Sequence, residues 1–349
     1  MYLNDSAAPV SGGNNAAYAP ALACAAISVV LIRSGFLSFC FLIPLGYSAL
    51  AYTPATAWLA FGIAACCNAV LSLGLSLYYH TGITGPGLDF LYFTVTAIGF
   101  TWIMAGGTGE NGKTALHIRA TYRFIAAAGA GALVFLGVFM GTRTDAGFSG
   151  FIHSQVEALA SAYIDSSDVD AVRRSFLEHL LTPERILEVV TMVAFRGGAL
   201  ASVFLLLFIS RQAALVIARL FRRRLTPGGN LAGFHVPVHT IWVLSFCLPA
   251  ILLAQVSGMQ VIAIAAWNTL VVCVMLFLAQ GGGIILYSLA RRPLPPLVRL
   301  GFNVLVVIVI FSPVINMLAL GGLVLLGIAE NWLPLRVPKQ NRPASTPGL

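Results

Sequence analysis

From Gly258 to Ala290 the chain carries not one charged side chain, and this stretch is one of several long apolar runs. A hydrocarbon core about 30 Å thick is crossed by about 20 apolar residues in a helix. A straight helix over 258–290 would reach about 48 Å at 1.5 Å per residue. Water-soluble folds have no place for repeated segments of that kind, because a globule must cover itself with polar surface. The charge total agrees: 20 basic and 12 acidic residues make 32 in 349, with 58% hydrophobic residues. A soluble domain of this length would hold roughly a quarter charged residues. Soluble enzymes, disordered chains, collagen-like fibres and disulfide scaffolds are excluded, and the expected fold is all-α, a polytopic transmembrane helix bundle.

Reading for spanning runs gives 36–52, 55–79, 88–105, 116–141, 186–210, 236–256 and 261–289. The shorter 19–32 counts as a first crossing because Arg33-Ser34-Gly35 separates it from the next. The block 297–331 is too long for one helix and is divided by Ser312-Pro313 into 297–312 and 314–331, since proline removes a backbone donor and clashes with the preceding turn. The total is ten crossings, or eight if the two short pairs are re-entrant.

The net charge of +8 would suggest nucleic acid in a soluble protein, but its placement does not. Arg211, Arg219, Arg222, Arg223 and Arg224, then Arg291, Arg292 and Arg299, then Arg336, Lys339 and Arg342 each flank an apolar run. That is the distribution of cytoplasmic loops under the positive-inside rule, with attraction to anionic headgroups. Ten crossings with both termini cytoplasmic place every basic cluster inside. Segment 142–185, with seven acids and four arginines, then falls outside. The first 18 residues lack Lys and Arg, and Ala17-Tyr18-Ala19 precedes the apolar run instead of following it, so no cleavable leader is expected. All six cysteines lie in apolar segments without metal-ligand or disulfide spacing.

The external segment is amphipathic. Val169, Val172, Phe176, Leu177, Leu180 and Leu181 recur at helical spacing behind Ser167 and Asp170, and 150–164 forms a weaker helix. The pair would lie flat on the membrane or cap a cavity. Thr182-Pro183-Glu184 then starts a helix that no breaker stops before Pro227, although Gly197-Gly198 would bend it. Over 183–224 it would be about 63 Å long, with its arginine-rich end in the cytoplasm.

Four features are candidates for function. Arg196 sits ten positions into the sixth crossing, where a charge costs at least about 2.5–3.5 kcal/mol and normally faces a cavity or bundle interior. It reads as an anion-binding or coupling residue, or as a cation satisfied by carbonyls near the glycines. Asn268 and Gln280, the latter followed by Gly281, Gly282 and Gly283, read as a helix broken in mid-membrane to line a substrate site, or as a close crossing fastened by hydrogen bonds. Asn68, Asn303 and Asn316 read as helix glue. Ala17, Ala21 and Ala25 form a small-residue stripe suited to close contact with another helix, here or in a partner. His235 and His239 are four apart, but Pro237 intervenes and no third ligand is apparent, so no metal site and no cofactor are expected. No nucleophile elbow, phosphate loop or dinucleotide fingerprint is present, and no catalytic constellation is recognised, so the chain is not expected to be an enzyme.

The last third resembles a known family. Asn268, Leu276 to Gly281, Tyr287, the arginine-rich loop, and Leu320-Gly321-Gly322-Leu323 through Glu330-Asn331-Trp332 to Arg336 are similar to the YybS-like family of bacterial polytopic membrane proteins. Their C-terminus closes on glycine, an apolar run, aspartate, an aromatic residue and arginine; Glu330 stands where aspartate is usual and keeps the charge. The alanine stripe and crossing pattern of the first half resemble the S subunits of energy-coupling-factor transporters. With the charge placement above, the expected division is a disordered cytoplasmic tail 1–18, a transmembrane half 19–141 that resembles an S subunit, an extracytoplasmic amphipathic insertion 142–185, a transmembrane half 186–333 that resembles the YybS-like family and a basic cytoplasmic tail 334–349. The resemblance implies a bacterial inner membrane location, with Ala17, Ala21 and Ala25 contacting a transmembrane coupling subunit. The function expected is a solute-binding or transport-type membrane subunit with Arg196, Asn268, Gln280 and 281–283 at its site. The alternative is a non-transporting scaffold for cell-envelope processes. The bilayer is the expected partner, with a coupling subunit or envelope protein beside it, and neither nucleic acid nor metal.

Overall fold

The computed structural model describes residues 15–35, 37–78, 84–105, 113–142, 182–221, 233–291, 312–333 and 335–336, with Gly150, Ser154 and Ala158. Every regular element among them is helical. The crossing expected at 297–312 and the amphipathic helices expected within 150–181 lie outside the described residues, the three isolated positions aside.

Two compact units divide the chain at Gly229 and Asn230. The first holds α1 (Asn15–Arg33), α2 (Leu42–Ala51), α3 (Pro54–Tyr78), α4 (Thr84–Ala105), α5 (Lys113–Thr142), α6 (Pro183–Val193) and α7 (Ala199–Leu220). The second holds α8 (His239–Ser257), α9 (Gln260–Arg291) and α10 (Pro313–Ala329). The boundary therefore falls some forty residues later than a division into halves around the 142–185 segment would put it, because α7 packs on α2 and α5 of the first unit.

Six helices are long and apolar enough to cross a membrane among the described residues, and Tyr18–Arg33, Ser38–Ala51 and Asn316–Ala329 are shorter apolar ones. The apolar runs thus locate the helices well. The expected crossing 36–52 is the exception, since it divides into a 3-10 turn (Ser38–Cys40) and the ten-residue α2.

Large apolar side chains lie exposed along these helices, among them Leu133, Leu220, Val261 and Met317. In water such a surface would aggregate; in a bilayer it meets chains as apolar as itself. The interior is built from small residues that bring helices together. Gly99 meets Ala127, Gly131 meets Val203 and Thr96, and Gly141 meets Leu88, a pairing that runs α4 and α5 antiparallel. Since Thr96 and Gly131 stand at the middle of the spans Gly87–Ala105 and Thr121–Thr142, Val203 marks mid-depth on α7.

Between α6 and α7 the helix widens into a π-turn over Ala194–Gly198, and Gly197 adopts φ 107°, a left-handed value that favours glycine. The bend foreseen at the glycine pair is there, and it interrupts the long helix expected from Pro183.

Lipid contact and core contact are distinguished by truncation. Leu207 is fully buried and Leu133 is 72% exposed. Leu207→Ala should lower stability by about 2–5 kcal/mol, read as an earlier unfolding midpoint in detergent. Leu133→Ala should leave that midpoint nearly unchanged, because lipid or detergent fills the space.

Candidate functional site

In the first unit, α1 ends at Arg33 and Gly35 (φ 68°) turns the chain into the 3-10 turn. Ser28 fixes that turn by donating to the Phe41 carbonyl at 2.6 Å. Arg33 then reaches α3. Its Nε donates to Asn68 Oδ1 at 3.1 Å, and its Nη2 donates to the same oxygen at 2.7 Å and to the Asn68 carbonyl at 3.3 Å. Nη2 also contacts Ser72 Oγ. Asn68 and Ser72 are one turn apart, so one face of α3 holds the guanidinium, and both are buried.

This tethered arginine borders a cavity of about 360 Å³ that is also lined by Ser38, Asn68, Asp89 and Tyr92, with apolar walls from Ile32, Phe39, Phe41 and Leu206. Asp89 lies within electrostatic reach of Arg33, yet the two form no ion pair. Among the described residues, neither Arg33 Nη1 nor the Asp89 carboxylate has a hydrogen-bond partner. Asp89 lies two turns from mid-depth Thr96, or about 10 Å. A cavity with one fixed cation, one anion, an amide and a phenol can bind a polar molecule within an apolar setting.

The second unit treats its polar groups differently. Gln280 on α9 is fully buried. Its Oε1 accepts from the Val236 N–H at 2.7 Å; its Nε2 donates to the Gly327 carbonyl at 3.0 Å and to Glu330 Oε2 at 2.9 Å. Both amide hydrogens are therefore used. Glu330 in turn accepts from Arg336 Nε at 2.6 Å and from its Nη2, with His235 Nδ1 3.9 Å away. The local pairing of Glu330 with a neighbour is as its position before Arg336 suggests. Gln280 thereby joins three segments, the lead into α8, α9 itself and the end of α10.

The glycines serve the same junction. The helix break expected over Gly281, Gly282 and Gly283 is absent, and α9 runs unbroken from Gln260 to Arg291. A Cβ on Gly281 would strike the Leu323 carbonyl oxygen, and one on Gly327 would strike that of Phe277. The two backbones touch, and their packing supplies the reason the glycines do not unwind.

The other expected residues are spread out. Arg196 is half-buried in the π-turn of the first unit with φ −87° and ψ 30°. It stands two turns from Val203, about 10 Å from mid-depth and towards the end that holds Asp89, since Gly46 sets Phe100 beside Ala214 as Gly131 sets Thr96 beside Val203. It is thus not at the bilayer centre, and its cost is smaller than expected there. Asn268 Nδ2 donates to the Ile264 carbonyl of its own helix at 2.8 Å. Arg196 thus lies in one unit, and Asn268, Gln280 and 281–283 in the other. Ala21 and Ala25 are buried by the first unit's own helices, and α1 packs on α2 and α3, so this part of the stripe that begins at Ala17 is taken up within the chain. His235 precedes α8, which starts at His239, so the two imidazoles do not share a helix face. Arg33, Asp89 and Tyr92 were not among the expected site residues. The signal for them was modest: an acid near the start of an apolar run, and an arginine that reads as a separator between two runs.

Two substitutions and one control test the second unit's junction. Gly327→Ala should lower stability by about 1–3 kcal/mol, whereas Gly322→Ala, with open space around its Cβ, should be neutral in the same thermal-denaturation series. Removing the Glu330 carboxylate (Glu330→Ala) takes away the acceptor that Arg336 and one Gln280 hydrogen share, and should cost about 3–5 kcal/mol as for other broken buried pairs. A Glu330→Ala midpoint equal to that of the unsubstituted protein would refute the fastening role.

No curated protein matches the chain, and no solved structure does. Residues 26–328 match the family described as predicted membrane protein (DUF2232), a match with which the YybS-like resemblance agrees. That span takes in the tethered Arg33, the cavity and Gln280 alike, and by it this chain belongs to the DUF2232 family of membrane proteins.

Proposed function

We propose that this membrane protein binds a small polar solute in the first unit's cavity and serves as a solute-binding or transport-type subunit of a bacterial plasma membrane. The observation that carries the reading is the cavity bordered by Arg33, Asn68, Asp89 and Tyr92, in which a cation and an anion stand near each other without pairing. Ionisable groups within a membrane are costly and ordinarily mark a solute or ion path. Small-molecule sites combine apolar walls with a few placed polar groups, which is the composition found here.

Cytoplasmic termini, supported by the basic flanks of the apolar runs, put the Arg33 end of α1 in the extracytoplasmic half. The cavity would then face the side from which uptake starts. Its groups are suited to binding and not to bond making, since no nucleophile stands beside a base. With no nucleotide-hydrolysis motif in the chain, accumulation would depend on a coupling subunit or an ion gradient. A scaffold role in envelope assembly is the second reading. It is favoured by the mutual satisfaction of Gln280, Glu330 and Arg336, which fasten helices and leave nothing for a ligand.

A thermal-shift screen of the purified protein against amino acids, nucleosides and vitamins tests this. Stabilisation is expected from at least one solute class, abolished by Asp89→Ala and retained in Asn316→Ala, a change in the second unit. Co-purification of wall-synthesis or division proteins without any ligand response would instead support the scaffold.

A further inference from the structure

The charges in the cavity bear on what kind of solute it takes, and the following rests on the solute-binding reading above. We infer that the Arg33–Asp89 cavity is a site for a small zwitterion, one molecule carrying both a carboxylate and a primary ammonium group, as a free α-amino acid does.

Arg33 is a prepared carboxylate receiver. Asn68 and Ser72 hold its Nε and Nη2, which orients the planar fork and leaves the two hydrogens of Nη1 directed elsewhere. A guanidinium held by one edge and open at the other binds a carboxylate with little further loss of side-chain freedom. Asp89 is an acceptor-only group when ionised, suited to the three N–H bonds of an ammonium. The two side chains border the same cavity and sense each other's charge, but they do not close into an ion pair. The gap between them is where the charged end of a ligand fits.

Charge balance selects among solutes. A simple anion on Arg33 would set a second negative charge near Asp89, and a simple cation on Asp89 would set a second positive charge near Arg33. Both residues are exposed, so what disfavours the extra charge is like-charge repulsion at short range. A zwitterion meets both residues at once and adds no net charge. Ile32, Phe39, Phe41 and Leu206 then wall the space left for its side chain, and Tyr92 supplies a hydroxyl. The volume, about 360 Å³, sits at the small end of the range of roughly 300–1,000 Å³ for ligand pockets, so a single amino-acid-sized molecule suits it better than a nucleotide with its phosphates.

The experiment is calorimetric titration of the full chain in nanodiscs with three matched probes: leucine, leucinamide (ammonium only) and 4-methylpentanoate (carboxylate only), with glutamine as a polar zwitterion. At least one of the two amino acids should bind about tenfold or more tightly than either single-charge probe, the loss expected when a charged hydrogen-bond partner is missing. Asp89→Asn, nearly isosteric, should weaken the zwitterion by about tenfold or more and leave 4-methylpentanoate equal or tighter. Arg33→Gln should abolish both, and Asp89→Asn keeps the test open if that variant fails to fold. Equal binding of the carboxylate-only probe and the amino acids would overturn the zwitterion assignment while leaving solute binding intact. No heat with any of the four, together with a silent solute screen, would overturn both. Stabilisation by phosphatidylethanolamine in the nanodisc, with none from free amino acids, would give the pair to a lipid headgroup and overturn the assignment to a free solute.

Discussion

Hydrocarbon offers no hydrogen bonds, and that constraint bears on the polar side chains along the described helices of this protein. A polar group buried among lipid-facing helices must find a partner inside the chain, accept water in a cavity, or be absent. Ser28 and Gln280 find partners in backbone groups, and Asn68 in the guanidinium of Arg33. Thr191, Ser202 and Ser245 return their hydroxyls to the carbonyls one turn back. Among the described residues, Thr94, Thr101, Gln212, Trp267 and Asn331 each keep a buried polar atom without a partner, so what sets Asp89 and the open edge of Arg33 apart is the cavity they share.

The two units answer the constraint in opposite ways. In the second, Glu330, Arg336 and Gln280 satisfy one another at the place where Gly281 and Gly327 let two backbones touch. Close approach excludes lipid and water, and exclusion makes each hydrogen bond worth more and each vacancy more costly. The first unit draws its helices together with glycine and alanine at mid-depth, yet keeps an opening between α1, α3 and α4. Gly131 brings Thr96 and Val203 together two turns along from Asp89 and Arg196.

The helices were legible in the sequence because their cause is local. A span needs a run of apolar residues, and α3, α5, α8 and α9 begin and end within a few residues of such runs. The kink at Gly197 was legible for the same reason, since only a glycine takes φ 107° without strain. Gly281–Gly283 looked like a stronger break and is none, because a helix is held by what packs on it, and the facing carbonyl of Leu323 belongs to a segment forty residues away. Propensity could not show that. The site was hidden for a related reason. Gln280 and Arg196 are conspicuous by their cost in any apolar run, whereas Arg33, Asn68 and Asp89 acquire meaning only when three helices are set side by side.

Under the solute-binding proposal, cost and function separate in this chain. The expectation that the most expensive intramembrane residue marks the site assumes that the expense remains unrelieved. Gln280 is relieved completely by the Val236 amide, the Gly327 carbonyl and Glu330. Arg196 is relieved in part by its depth, near the end of the span instead of its centre. What distinguishes Asp89 is not its cost but its place on a cavity shared with an arginine whose own bonds hold it and leave one edge open. A fastener spends its hydrogen bonds within the fold, and a binding group keeps them for something that comes and goes. By that criterion the Arg33–Asp89 cavity, near the end of its spans, and not the glycine-rich crossing, is where a solute would find unused donors and acceptors.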